Sequence, residues 1–379
     1  MNYLRKFPAI FSRNAFVLLC WGIWLCLHGS NLILSVQLSL VPMFAAALAI
    51  FCAMIGCIFT VNHYADQLAE LLDEPFGTLL LTLSVAIIEV SLMLVVIFEG
   101  DKNPSMLRDT VYATLMIMLN GMIGLSLVAG GWRHFEQTFN LRGAMSFLHL
   151  IVPLVLILLV MPNSTFSSGG PTLSPVQEVF MGGLCILVYV LFLVMQTTRH
   201  KALFVYQHVD NESLSISALP QHSSSHKRRI AIAGAALGLI VAIVPVVLLA
   251  EYLGDVINHG IEVLHAPVDL AALIIASLVL APEGLSAFRA ATANHMQKAM
   301  NICLGSALST IALTVPCMLL VAGLQNIDLN LGVIGGSSTL LYATLLTTLI
   351  TLSSERTTML QGNVHLMIFL SYLFFIFYP

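Results

Sequence analysis

Two glutamates stand where an acid is least welcome. Glu89 lies in Thr82-Leu-Ser-Val-Ala-Ile-Ile-Glu-Val-Ser-Leu, and Glu283 in Leu278-Val-Leu-Ala-Pro-Glu-Gly-Leu-Ser, each in the middle of an apolar run. No basic residue lies within a helical turn of Glu89, and Arg289 is six residues beyond Glu283, off the i+3 and i+4 positions where a helix partner would sit. An ionisable group at a bilayer centre costs roughly 2.5–3.5 kcal/mol even on the lenient insertion scale, so it faces the protein interior or a water-filled cavity. Two converging carboxylates can replace part of the hydration shell of a hard cation. Ca²⁺ takes about six to eight oxygens, from carboxylates, carbonyls and hydroxyls. A carboxylate out of water that loses its cation takes up a proton instead. One site that holds either a cation or protons couples the two fluxes. The plainer alternative is a pair of core glutamates that only fix helix packing.

Nearby oxygen donors could complete the shell. Thr78, Thr82 and Glu89 share one helical face, as do Asn301, Gly305 and Ser309, and also Ser306, Thr310 and Thr314. Asn120 and Thr114 are further candidates. A lone Ser or Thr can equally back-bond to its own helix or pack as a small residue. Pro282 removes a backbone donor and frees a carbonyl about one turn earlier, which could serve a cation or merely kink the helix.

These residues need membrane helices to hold them. The 379 residues are 58% hydrophobic and only 9% charged, against roughly 25% charged in soluble domains. Lipid as solvent explains the deficit. Eleven apolar stretches of spanning length are legible, near 14–34, 37–61, 77–98, 110–131, 144–162, 177–196, 230–250, 267–288, 301–323, 331–352 and 362–378. The first is read as a retained span rather than a cleaved signal. With the N-terminus in the cytoplasm, 13 of the 15 Lys and Arg fall in cytoplasmic segments and only Lys102 and Arg108 outside, as the positive-inside rule requires. The expected location is the inner membrane, with the C-terminus in the periplasm. The net charge of −4 says little about partners, and no basic patch argues for nucleic acid. The seven cysteines lie in apolar runs without a CxxC, and read as buried free thiols.

The predicted fold class is an all-α polytopic membrane protein with two inverted α-repeats, 77–131 and 267–323. Glu89 and Glu283 are 194 residues apart, and the same offset sets Val111 opposite Gly305, Tyr112 opposite Ser306 and Asn120 opposite Thr314. The glutamate helices are third and eighth in order, so they run in opposite directions across the bilayer. Inverted repeats around a midplane site recur in secondary transporters. The predicted organisation is a membrane half 1–196, a cytoplasmic linker 197–229 and a membrane half 230–379.

Other polar features are less telling. Asp66, Glu70, Asp73 and Glu74 could concentrate cations at the inner mouth or form an ordinary solvated loop. Glu251, Asp255, Glu262 and Asp269 crowd the opposite side. Arg108 and Asp109 could pair. His63, His134, His200, His208, His222, His226 and His295 fall in cytoplasmic segments, where exposed histidine is the plain reading and pH sensing the sharper one.

Several stretches resemble the ChaA-like calcium/proton antiporters of the calcium/cation antiporter superfamily. They are Glu74-Pro-Phe-Gly-Thr through Glu89-Val-Ser-Leu, Met106-Leu-Arg-Asp-Thr-Val-Tyr, Phe204-Val-Tyr-Gln-His, and Ala281-Pro-Glu-Gly-Leu-Ser-Ala-Phe-Arg-Ala through Gly305-Ser-Ala-Leu-Ser-Thr-Ile-Ala-Leu-Thr-Val-Pro. The resemblance covers nearly the whole chain and implies eleven helices, cation exchange against protons, and repeat glutamates as ion ligands, here Glu89 and Glu283. Ser309 stands where eukaryotic relatives often carry Gln. The resulting expectation is a secondary transporter, not an enzyme. It would exchange cytoplasmic Ca²⁺, with Na⁺ and K⁺ as further candidates, for external H⁺. Glu89 and Glu283 are its primary ligands, with Thr82, Asn120, Ser306, Ser309 and Thr310 in support. No cofactor is implied beyond the transported ions, and the expected partners are the lipid bilayer and the cations and protons themselves. A cation channel without proton coupling is the alternative.

Overall fold

The computed structural model describes residues 7–30, 40–72, 76–99, 104–166, 170–199, 225–325 and 327–379. Eleven helices run through them: α1 (Phe7–Ser30), α2 (Leu40–Leu71), α3 (Phe76–Glu99), α4 (Met106–His134), α5 (Leu141–Ser164), α6 (Pro175–Thr198), α7 (Ser225–Leu264), α8 (Asp269–Thr292), α9 (Met296–Gln325), α10 (Gly336–Thr351) and α11 (Met359–Phe377). All but α1, α3 and α10 are long and apolar enough to cross a bilayer over described residues. The 16 residues of α10 are the shortest of the run. Most of the predicted linker, 200–224, lies outside the described residues.

Helix starts follow local chemistry. Asn140 caps α5, its side chain accepting from the backbone N–H of Arg142 and Gly143. Ser174 with Gln177 and Thr358 with Gln361 form capping boxes that open α6 and α11. Among the described residues four helices carry a π segment, two of them at Met116–Met122 in α4 and Thr310–Thr314 in α9. Their first residues are separated by the 194-residue offset that relates the two glutamates, so the repeats share a backbone irregularity as well as an acid.

The packing places α4 at the centre. Over its most apolar window 83% of residues are buried, against 22% for α6. The outward faces are apolar: Val176, Val179 and Phe180 on α6, Leu320 and Leu324 on α9, and Leu360, Leu370 and Phe374 on α11. Such a surface suits lipid, which adds no hydrophobic drive between helices, so close fit must hold them together. Glycines provide it where α4 meets α11. A Cβ on Gly362 would lie 2.8 Å from the Gly124 carbonyl oxygen and from the Val128 nitrogen. Only the lack of side chains there lets the two backbones touch.

Loops gather at two ends. At one end β1 (Gln137–Thr138) pairs antiparallel with β2 (Arg356–Thr357). Gln137 also donates to the Ala291 carbonyl at 2.8 Å, and His134 meets the Thr292 carbonyl at 3.0 Å. Arg228 donates to the Leu71 carbonyl, capping the C-terminus of α2 from α7. At the other end Asn330 bridges Thr172, the Asn330 N–H donates to Pro104 O, and the Leu331 and Gly332 N–H groups donate to Pro171 O. The connections that the basic-residue count assigns to one side are the ones that meet in space.

Three differences from the sequence reading have physical causes. Helix α7 spans 40 residues where the apolar run predicts only 230–250, because the helix continues past Glu251 and Asp255 with Leu253 and Val256 buried beneath them. Helix α10 begins five residues later than its apolar run, after Gly335 with φ +65°, since 327–334 is spent on the loop contacts above. Of the cysteines, Cys26, Cys52 and Cys317 are exposed rather than buried, on helix faces where lipid accepts a thiol as it accepts a methyl group.

Candidate functional site

The site joins the two repeats. Glu89, on α3, is buried at 4% exposure and faces the π segment of α9. Thr310 Oγ1 donates toward both carboxylate oxygens, at 3.0 and 3.2 Å, and Thr314 Oγ1 donates to Oε2 at 2.6 Å. The π turn brings Thr310 and Thr314 onto one carboxyl group, which accepts from both. The reciprocal contact also exists between elements: α8, which carries Glu283, packs on the π segment of α4. Gly284 is tight there, since a Cβ would fall 2.6 Å from Met122 Sδ.

The two acids are unequal in this conformation. Glu283 is half-buried, its Oε2 enclosed and without a hydrogen-bond partner in the protein. It lies within electrostatic reach of Glu89. The pair therefore combines one carboxylate clasped by hydroxyls with one that has an enclosed, unpartnered oxygen. Among the described residues no group of three or more His, Cys, Asp or Glu side chains could hold a metal ion.

The supporting residues divide. Thr310 meets Glu89 directly. Ser306 is buried one turn away, where its carbonyl accepts from Ser309 Oγ at 2.9 Å; Ser309 thus back-bonds to its own helix instead of reaching a carboxylate. Asn301 accepts from Gln297 at 2.9 Å. Thr114 Oγ1 is buried without a partner. The side chains of Thr78 and Thr82 lie outside the described residues. Asn120 is fully buried, yet its bonds run away from the glutamates. Nδ2 donates to Thr344 Oγ1 on α10 at 2.8 Å, and Oδ1 meets His365 Nδ1 on α11 at 3.2 Å.

That last network has no counterpart among the sequence expectations. His365 is fully buried, and its Nε2 lies 3.0 Å from Thr351 Oγ1. A signal exists in the α10 spacing, where Thr344, Thr348 and Thr351 line one helical face and are all buried. The anticipated pairing of Arg108 with Asp109 is present, Nε to Oδ1 at 2.7 Å. Of the acidic inner approach, Asp66 is exposed, while Asp73 and Glu74 lie outside the described residues, as do His200, His208 and His222.

An eleven-helix bundle with inverted repeats, carrying Glu89 and Glu283 on helices that each pack on the π segment of the opposite repeat, is the architecture of the secondary transporters to which the chain is related. The sodium/calcium exchanger protein family matches residues 40–198 and 234–378, and the chain belongs to that family. A sodium-potassium/proton antiporter, ChaA, of Escherichia coli (strain K12) is 35% identical over 334 residues, 86% of this chain and 87% of that protein. Among solved structures, the H⁺/Ca²⁺ exchanger CAX superposes with a TM-score of 0.69 at 12% identity, covering 98% of this chain and 88% of that one. Native YfkE gives 0.67 at 17% identity, covering 87% and 92%. These structures share the fold. The chain is a multi-pass membrane antiporter of cations.

Proposed function

We propose that the protein exchanges a cytoplasmic cation for external protons, with Glu89 and Glu283 binding the two in alternation. One observation carries the reading: Glu89 is clasped by Thr310 and Thr314 of the opposite repeat, while Glu283, within its electrostatic reach, keeps an enclosed oxygen unpartnered. Two carboxylates supply two negative charges, which match one Ca²⁺, two monovalent cations or two protons. All the donors are hard oxygens, suited to Ca²⁺ and to alkali cations alike. Ca²⁺ is the first cargo we assign. The 35% identity to a sodium-potassium/proton antiporter favours Na⁺ and K⁺ as a second reading. The supported setting is the inner membrane, with the N-terminus cytoplasmic and the C-terminus periplasmic, from the distribution of Lys and Arg. Residues 197–229 then join the membrane halves 1–196 and 230–379 on the cytoplasmic side.

Purified protein in liposomes with an imposed pH gradient tests this. Ca²⁺, Na⁺, K⁺ and Mg²⁺ are added separately and collapse of the gradient is followed. Collapse by Ca²⁺ or an alkali cation, lost in Glu89→Gln and in Glu283→Gln, is the expected result. Cation flux without proton movement would leave a channel instead, and normal exchange by both variants would remove the glutamates from the mechanism.

A further inference from the structure

The two π segments are equivalent in the repeats but differently engaged. Met116 and Thr310 open them, and Asn120 is the counterpart of Thr314. The 2.6 Å bond from Thr314 to Glu89 therefore has a symmetry mate, Asn120 to Glu283. The required helix contact is present, since α8 packs on the α4 π segment and Gly284 sits against Met122. The bond itself is not made: Glu283 Oε2 is enclosed and unpartnered, and Asn120 is held by Thr344 and His365.

The hold is fully satisfied. Asn120 Oδ1 can only accept, so its contact with His365 requires the ring proton on Nδ1 and leaves Nε2 to accept from Thr351, while the ring also meets the Leu119 backbone. Asn120 Nδ2 donates to Thr344, whose hydroxyl donates on to the Leu340 carbonyl at 2.7 Å. All four side chains are at most 2% exposed. No Asp, Glu, Lys or Arg occurs in α10 or α11, so the seam is neutral there. A hydrogen bond to an ionised carboxylate is roughly twice as strong as one between neutral groups. Two neutral bonds, with a weak 3.4 Å contact from Nδ2 to Met116 Sδ beside them, thus stand close to balance with one bond to an ionised Glu283, which is what a bistable element needs.

In transporters built from inverted repeats, the second conformation gives each repeat the arrangement of the other. We propose that His365 and Thr344 are positioning residues that hold Asn120 off Glu283 in this conformation. On passage to the other, Asn120 transfers to Glu283 as Thr310 and Thr314 release Glu89. The inference rests on the reading of Glu89 and Glu283 as alternating ligands, and adds the element that decides which of them is capped.

The test is sidedness. In liposomes of defined orientation, the half-saturating Ca²⁺ and Na⁺ concentrations are measured from each membrane face. Removing one holding bond, by His365→Ala or by the near-isosteric Thr344→Val, is expected to shift the ratio of the two values about five-fold, in the same direction for both variants. His365→Gln, whose amide can still donate to Asn120, keeps the ratio near wild type. In an Asn120→Ala background neither substitution shifts it. A shift that persists without Asn120 would overturn the proposal, and so would equal loss of turnover from both faces with no change in ratio. If His365→Ala does not accumulate, Thr344→Val decides between the same outcomes. Exchange that is lost in Glu89→Gln and Glu283→Gln, with no ratio shift, defeats the latch alone. Normal exchange by those two variants defeats the glutamate reading.

Discussion

Thr314 and Thr310 carry different shares of the Glu89 contact. Thr314 makes the single short bond of 2.6 Å, and Thr310 two longer ones of 3.0 and 3.2 Å. A hydrogen bond to a charged group contributes about 1.5–3 kcal/mol. Thr314→Val keeps the shape and removes the donor, so it should raise the half-saturating cation concentration by roughly ten-fold or more. Thr310→Val should raise it less, because its bonds are longer. Exchange measured in liposomes at matched protein content checks both. An effect larger for Thr310 than for Thr314 would contradict the geometry. The spacing of Ser306, Thr310 and Thr314 puts these hydroxyls on one face from sequence alone. Which carboxylate they meet is not legible there, because the contact joins residues 221 to 225 positions apart. Ser309 shows the opposite limit. Its type and place suggest a ligand, but a local carbonyl takes the hydroxyl first.

Between elements, the closest approach is α4 against α11. Gly362→Ala puts a methyl group 2.8 Å from the Gly124 oxygen and the Val128 nitrogen. Both are backbone atoms that no rotamer change can move, so the helices must part. Such overpacking costs about 1–3 kcal/mol, read as a lower melting temperature in detergent. Gly183→Ala, on α6 with nothing within 4 Å of its Cβ, should leave the protein as stable or gain up to about 1 kcal/mol from helix propensity. If the two variants melt alike, the tight seam is not what joins these helices. Apolar run length locates all eleven helices, because spanning a bilayer demands it. It misjudges α7, whose 40 residues extend about 60 Å, since a helix leaving the membrane can go on with a polar outer face. It also passes over His365, a residue whose partners sit on α4 and α10 and so leave no mark in its own run.

At the scale of the molecule, the chain sorts its connections into two ends. Gln137, Thr357, Ala291 and Thr292 meet at one, and Pro104, Pro171, Thr172 and Asn330 at the other. That sorting depends on each helix crossing once. A missed or extra crossing would put strand-paired segments on opposite faces of the bilayer. Phe166, fully exposed, belongs to the second end, and Ser354, also exposed, to the first. Most Lys and Arg near the ends of helices lie with Ser354, and the proposed cytoplasmic assignment of that end rests on them. In a background with Cys26, Cys52 and Cys317 replaced by serine, Phe166→Cys should react with an impermeant maleimide added to spheroplasts. Ser354→Cys should react only after the membrane is permeabilised. Labelling of both from outside would break the alternation of crossings on which the inverted repeat rests. Reversed labelling would keep the repeat and turn the protein over, leaving the direction of exchange unchanged, because the opposed gradients and not the orientation set it.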